Sequence, residues 1–133
     1  MQMQNPYAQY RQNAVNSAEP GELTLMLYNG AVKFNKLAVK QLEDKNLEKA
    51  NYYIQRVEDI ITELMVTLNR DYEISNNLFS LYDYIKRRLV EANVKKDRQI
   101  LLEVQDFLEE LRSTWAEALK QVKSSGVSGS GGK

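Results

Sequence analysis

The sequence predicts an all-α fold, an antiparallel four-helix bundle with a short helical arm at its N-terminus. Apolar residues recur at alternating spacings of three and four over long stretches, the period of a helix face packed against other helices. The breaks between these stretches span only a few residues and carry capping residues, so consecutive helices should run antiparallel. At 133 residues the chain is one domain, long enough to bury a core without staples.

Taken in order, the arm and its linker occupy residues 1–18, the bundle 19–123 and a flexible tail 124–133. Asn5 is a good N-cap and Pro6 suits the first helical position. Met3, Tyr7, Tyr10 and Ala14 fall on one side of the arm. A helix of about ten residues is marginal alone in water, so the arm must dock to persist. The segment Asn16–Gly21 is a break.

The first long helix runs from about Glu22 to Glu43. Leu23, Leu27, Phe34, Leu37 and Ala38 cluster on one face with Gly30 among them, while Leu25, Tyr28, Val32 and Val39 lie nearly opposite. Gly30 costs about 1 kcal/mol against alanine, which suggests close backbone packing there. Asn46 caps the second helix, whose seam is Leu47, Ala50, Ile54, Val57, Ile61, Leu64 and Leu68. After a break at Asn69–Asp71 the third helix, from Ile74 to Ala92, aligns Leu78, Leu81, Ile85, Leu89 and Ala92. The fourth begins near Asp97, with a seam of Leu101, Val104, Leu108, Leu111, Trp115, Ala118 and Val122 that places Trp115 in the core. The Ser/Gly-rich stretch after Lys123 is the tail.

Composition removes whole classes of function. Eighteen basic and 18 acidic residues cancel, which argues against nucleic acid as partner. There is no cysteine, hence no sign of disulfides or an oxidising compartment. No apolar run approaches a membrane span and no secretory signal is evident, so a cytoplasmic location without membrane insertion is expected. Histidine is absent, which removes histidine-dependent nucleophiles and the usual zinc sites. Adjacent carboxylates such as Glu109-Glu110 point about 100° apart and form no acid–base pair. No glycine-rich phosphate loop opens a helix. An enzyme is not expected, nor a cofactor or metal.

What remains is binding. A bundle helix ordinarily buries one stripe, so the Leu25, Tyr28, Val32, Val39 stripe needs a cover: the arm, a partner, or each in turn. The plainer reading is that the first helix is more buried than its neighbours. On the third helix, Asp83 and Arg87 can pair at i,i+4, and Tyr84 can stack with Arg88. These residues make either a structural surface pair or a partner contact.

Four blocks resemble one family. They are Tyr7-Ala8-Gln9-Tyr10 with Asn13 and Val15; Pro20-Gly21-Glu22-Leu23-Thr24-Leu25-Met26-Leu27-Tyr28-Asn29-Gly30-Ala31 with Lys33-Phe34; Leu81-Tyr82-Asp83-Tyr84 followed by Arg87-Arg88-Leu89 and Glu91-Ala92-Asn93; and Leu111-Arg112 with Trp115. In this order they are similar to the flagellar secretion chaperones of the FliS type. That resemblance implies a cytoplasmic bundle that binds the C-terminal helical segment of flagellin. It implies that binding prevents premature polymerisation and aids delivery to the cytoplasmic domain of the type III export gate. It also implies an arm that covers part of the apolar surface and rearranges on binding, with Tyr7 and Tyr10 in substrate and gate contacts. The expected partner-binding residues are Tyr7, Tyr10, Leu25, Tyr28, Val32, Val39, Tyr84 and Arg88. A monomer that binds flagellin one-to-one is expected. The rival is a self-associating helical-bundle adaptor whose outer stripe closes a homodimer.

Overall fold

In the computed structural model the backbone is described for residues 20–130 and side chains for residues 21–122. The expected arm, with Tyr7 and Tyr10, lies outside the described residues. Four helices follow in order: α1 Pro20–Glu43, α2 Leu47–Thr67, α3 Glu73–Lys95 and α4 Arg98–Ser130. Each packs on its chain neighbours, and α4 returns to α1, so the four close a ring. The first and last helices run antiparallel, since Gly21 meets Trp115 while Glu43 meets Arg98.

The helix boundaries have local causes. Asn46 accepts a hydrogen bond from the Lys49 N–H, and Asp97 accepts one from the Gln99 N–H, each engaging a donor that the helix start leaves open. At the other ends Lys45 and Lys96 adopt left-handed backbone, with φ of 61° and 51°. The following residues, Asn46 and Asp97, donate their N–H groups to Gln41 O at 2.8 Å and Ala92 O at 3.0 Å. These are the long hydrogen bonds of Schellman turns.

The core is a continuous cluster that includes Leu27, Phe34, Ile54, Val57, Ile61, Leu64, Ile85, Leu89, Leu101, Val104 and Leu108. The second stripe of α1 is where the structure corrects the sequence reading. Tyr28 and Val32 do not lie on an outer face: they are 3% and 7% exposed and belong to the core. The two stripes are flanks of one wide buried arc, because α1 packs on both α2 and α4. Ala31 and Asn35, both fully buried, fill the wedge between them. Leu25 and Val39, at the edge of that arc, are only half-buried.

The seams are also shorter than expected. Leu47, at the head of the α2 seam, is exposed, and so are Ala118 and Val122 of α4. Trp115 is half-buried against the edge of the core, not inside it. For Val122 the cause is length: α4 has 33 residues against 24 in α1, so its last turns overhang the ring. The α4 backbone also stays helical to Ser130, beyond the Lys123 boundary drawn for a flexible tail. Extending an existing helix needs no new nucleus. Gly30 is buried, but the tight approach falls at Gly21, where a Cβ would stand 2.8 Å from Leu119 Cδ2.

Candidate partner-binding groove

The seam between α1 and α4 is polar at its base. Asn35 Nδ2 donates to Leu101 O at 3.0 Å and to Gln105 Oε1 at 2.8 Å. Gln105 Nε2 donates to Glu109 Oε2 at 2.9 Å, and Lys36 Nζ stands 3.4 Å from that same oxygen. The hydrogen bond from Gln105, joined by the charge of Lys36, holds the Glu109 carboxyl below the usual carboxylate range despite partial desolvation. Asn35 Oδ1 is buried without a hydrogen-bond partner.

Beside this network the surface opens into two cavities in line. One, of about 540 Å³, is lined by Asn29, Val32, Lys33, Lys36, Leu37 and Arg112. The next, of about 400 Å³, lies between Leu25 and Met26 of α1 and Ala116 and Leu119 of α4. From Leu25 to Leu37 is about 18 Å at 1.5 Å per residue, the length of about three helical turns. The groove therefore has a cationic end and an end whose apolar residues share the lining with Glu22 and Lys120.

A third cavity, of about 250 Å³, sits where α1 begins, walled by Thr24, Leu64, Leu68, Ile74, Leu78 and Trp115. Tyr28 and Tyr82 also line it, and their hydroxyls bond to each other at 2.5 Å. Burial pushes both phenols above the ordinary tyrosine value, Tyr82 the further. At the rim Trp115 Nε1 donates to the Gly21 carbonyl at 2.8 Å, tying α4 to the first turn of α1.

On α3 the Asp83–Arg87 pair forms as expected, at 3.1 Å. The ring–cation contact does not. Arg87, three residues on, lies over the Tyr84 ring, and Arg88 instead binds Glu103 of α4 at 2.8 Å and Glu91 at 2.6 Å. Tyr84 donates to the other Glu103 oxygen at 2.6 Å and meets Phe107 edge-on. A cross-helix acceptor bound to both side chains outcompeted the local stack, a partner that spacing within one helix cannot reveal.

Of the expected residues, Leu25 and Val32 line the groove. Tyr28 lines the cavity at the start of α1, Val39 packs on the core margin, and Tyr84 and Arg88 form a separate cluster. Sequence reasoning gave no role to Asn35, Gln105 or Arg112. Asn35 was legible only as a polar residue between two apolar stripes.

Among known proteins, the family described as "Flagellar protein FliS" matches residues 3–122. The flagellar secretion chaperone FliS of Bacillus subtilis (strain 168) is 46% identical over 132 residues, covering 99% of this chain and 98% of that one. Those of Salmonella typhimurium and Escherichia coli (strain K12) are 34% and 31% identical, covering 84% and 81% of this chain and 85% and 82% of theirs. A solved structure described as a flagellar chaperone from bacteria shares the fold, with a TM-score of 0.72 at 22% identity, covering 87% of this chain and 96% of its own. No helix among the described residues is long and apolar enough to cross a membrane. With nearly its whole length matched, this chain belongs to the FliS family of flagellar secretion chaperones.

Proposed function

We propose that this chain is a cytoplasmic export chaperone that holds the C-terminal helical segment of flagellin one-to-one and aids its delivery to the flagellar type III export gate. The observation that carries this reading is the groove between α1 and α4, with Leu25, Met26, Ala116 and Leu119 at one end. An amphipathic helix laid into such a groove buries its apolar face, a recurrent mode of peptide recognition. The chaperone then acts by mass action: occupied helices are withdrawn from filament assembly. Leu25 contributes apolar wall, and Val32 shapes the floor from within the core. Tyr7 and Tyr10 of the arm take part in client and gate contacts, as the arm gives way or is recruited when flagellin binds.

Sedimentation of the purified protein, alone and with flagellin, tests the reading. A monomer that co-sediments one-to-one with intact flagellin, but not with flagellin lacking its C-terminal segment, is the expected result. A stable homodimer that retains no flagellin would overturn it in favour of the self-associating adaptor.

A further inference from the structure

The cavity of about 540 Å³ has three cations in its wall, Lys33, Lys36 and Arg112, and no carboxylate among its lining residues. Among the described residues Lys36 stands 3.4 Å from Glu109, and the charge of Arg112 also acts on that carboxylate, which already accepts from Gln105. Arg112 differs from Arg56, whose Nε is likewise buried and unbonded but whose head is paired with Asp59 at 2.9 Å. The Arg112 Nε is buried and makes no hydrogen bond, and its head makes no ion pair with any described residue. Buried guanidinium donors are ordinarily paired, and an unpaired one is costly. A residue kept in that state within the wall of a groove is one whose acceptor arrives from outside.

We infer that Arg112, supported by Lys33 and Lys36, is a specificity-determining residue that receives a carboxylate side chain of the bound helix. This rests on the reading of the groove as the client site and adds what the client must carry. The cavity of about 400 Å³ is centred near Leu25 and Met26, the cationic one near Val32 and Lys33. Seven residues of helix separate them, about 10 Å. The client helix therefore carries Asp or Glu about two turns from its apolar anchors. Arg112 selects that register, because a slip of one or two residues turns the acid away from the guanidinium and leaves both charges without a partner.

Titration of a flagellin C-terminal peptide into full-length wild-type, Arg112→Gln and Arg112→Met chaperone tests this. The peptide is made in a series with each Asp or Glu replaced in turn by its amide. Both variants should bind the parent peptide at least about tenfold more weakly. One amide peptide should bind wild type equally weakly, yet lose nothing further with Arg112→Gln. The free Arg112→Met protein should melt at the same temperature as wild type or higher, since a buried donor without acceptor has been removed. Equal affinity of wild type and Arg112→Gln for the parent peptide overturns the carboxylate pairing while the chaperone reading stands. So does a series in which no single amide peptide matches the variant's loss. If wild type binds no flagellin peptide, the chaperone reading fails and this inference with it. Should a variant fold poorly, the amide series on wild type alone decides the matter.

Discussion

Where α1 meets α2, Phe34 stacks on Tyr53 and the buried α2 residues, from Ala50 to Leu64, are all apolar; where it meets α4, Asn35 and Gln105 are buried and bonded to each other. Both seams belong to one helix in one small bundle, so the contrast is not a matter of available residues. A dry seam tolerates no vacancy, because each lost methylene leaves a cavity. A seam laid on amides is held by directional bonds at its base and can stay open above them. The first arrangement supplies stability. The second leaves about 18 Å of α1 edge with cavities of about 540 and 400 Å³ beside it.

The largest expected effect separates these seams directly. Ile61, fully buried, should cost about 2–5 kcal/mol as Ile61→Ala. Leu25, half-buried at the groove, should cost under about 1.5 kcal/mol as Leu25→Ala, because less of it leaves water on folding. Urea denaturation of both variants measures the gap. Equal losses would mean that the groove wall is core like the rest.

Next comes the tyrosine pair that crosses the bundle. Tyr28→Phe and Tyr82→Phe should each cost about 1–3 kcal/mol, since each leaves the other buried hydroxyl without its partner. The double variant should cost clearly less than both losses added. Full additivity in that cycle would show that the hydroxyls do not act as a pair.

A smaller effect follows from the polar seam. The Glu109 carboxyl lies below its ordinary value in the folded chain, so the folded state binds fewer protons there than the unfolded one. Its contribution is fully present above the unfolded carboxyl value of about 4.3 and fades as pH falls through the folded value. Glu109→Gln should therefore lose less of its thermal stability than wild type between pH 7 and pH 3.5. Parallel melting curves across that range would remove Glu109 from the seam's energetics.

The smallest change tests the shared frame of both seams. Lys96 holds a left-handed φ of 51°, where glycine has no steric penalty. Lys96→Gly should raise stability by about 0.5–1 kcal/mol, read as a higher urea midpoint. A loss instead would give weight to the hydrogen bonds from Lys96 Nζ to Asn93.

Helix number and order were legible from periodicity, and the start of α2 from its capping residue Asn46; the cap formed by Asp97 was not read, although the start of α4 was placed near it. The left-handed turns at Lys45 and Lys96 were not, since lysine carries no signal for positive φ and glycine would. The wide burial of α1 was half-legible. Hydrophobic spacing shows the flanking stripes but passes over Ala31, too small to weigh, and Asn35, which reads as solvent-facing until Gln105 is seen across the seam. Tyr28 and Tyr82 lie 54 residues apart, and Arg88 and Glu103 lie 15 apart on different helices. Spacing within a helix says nothing about such partners. The groove belongs to the same class: a gap between helices is a property of their packing, not of any one segment.

The chain contains a single tryptophan, and its indole N–H is bonded to the carbonyl of Gly21 in the first turn of α1. That makes Trp115 a built-in fluorophore at the threshold where the N-terminal segment joins the bundle. Its emission should shift red when the indole loses that carbonyl to water, and its quenching by acrylamide should report how open the threshold is. Events at the mouth of the bundle can thus be followed in the unlabelled protein, on the timescale of stopped-flow mixing.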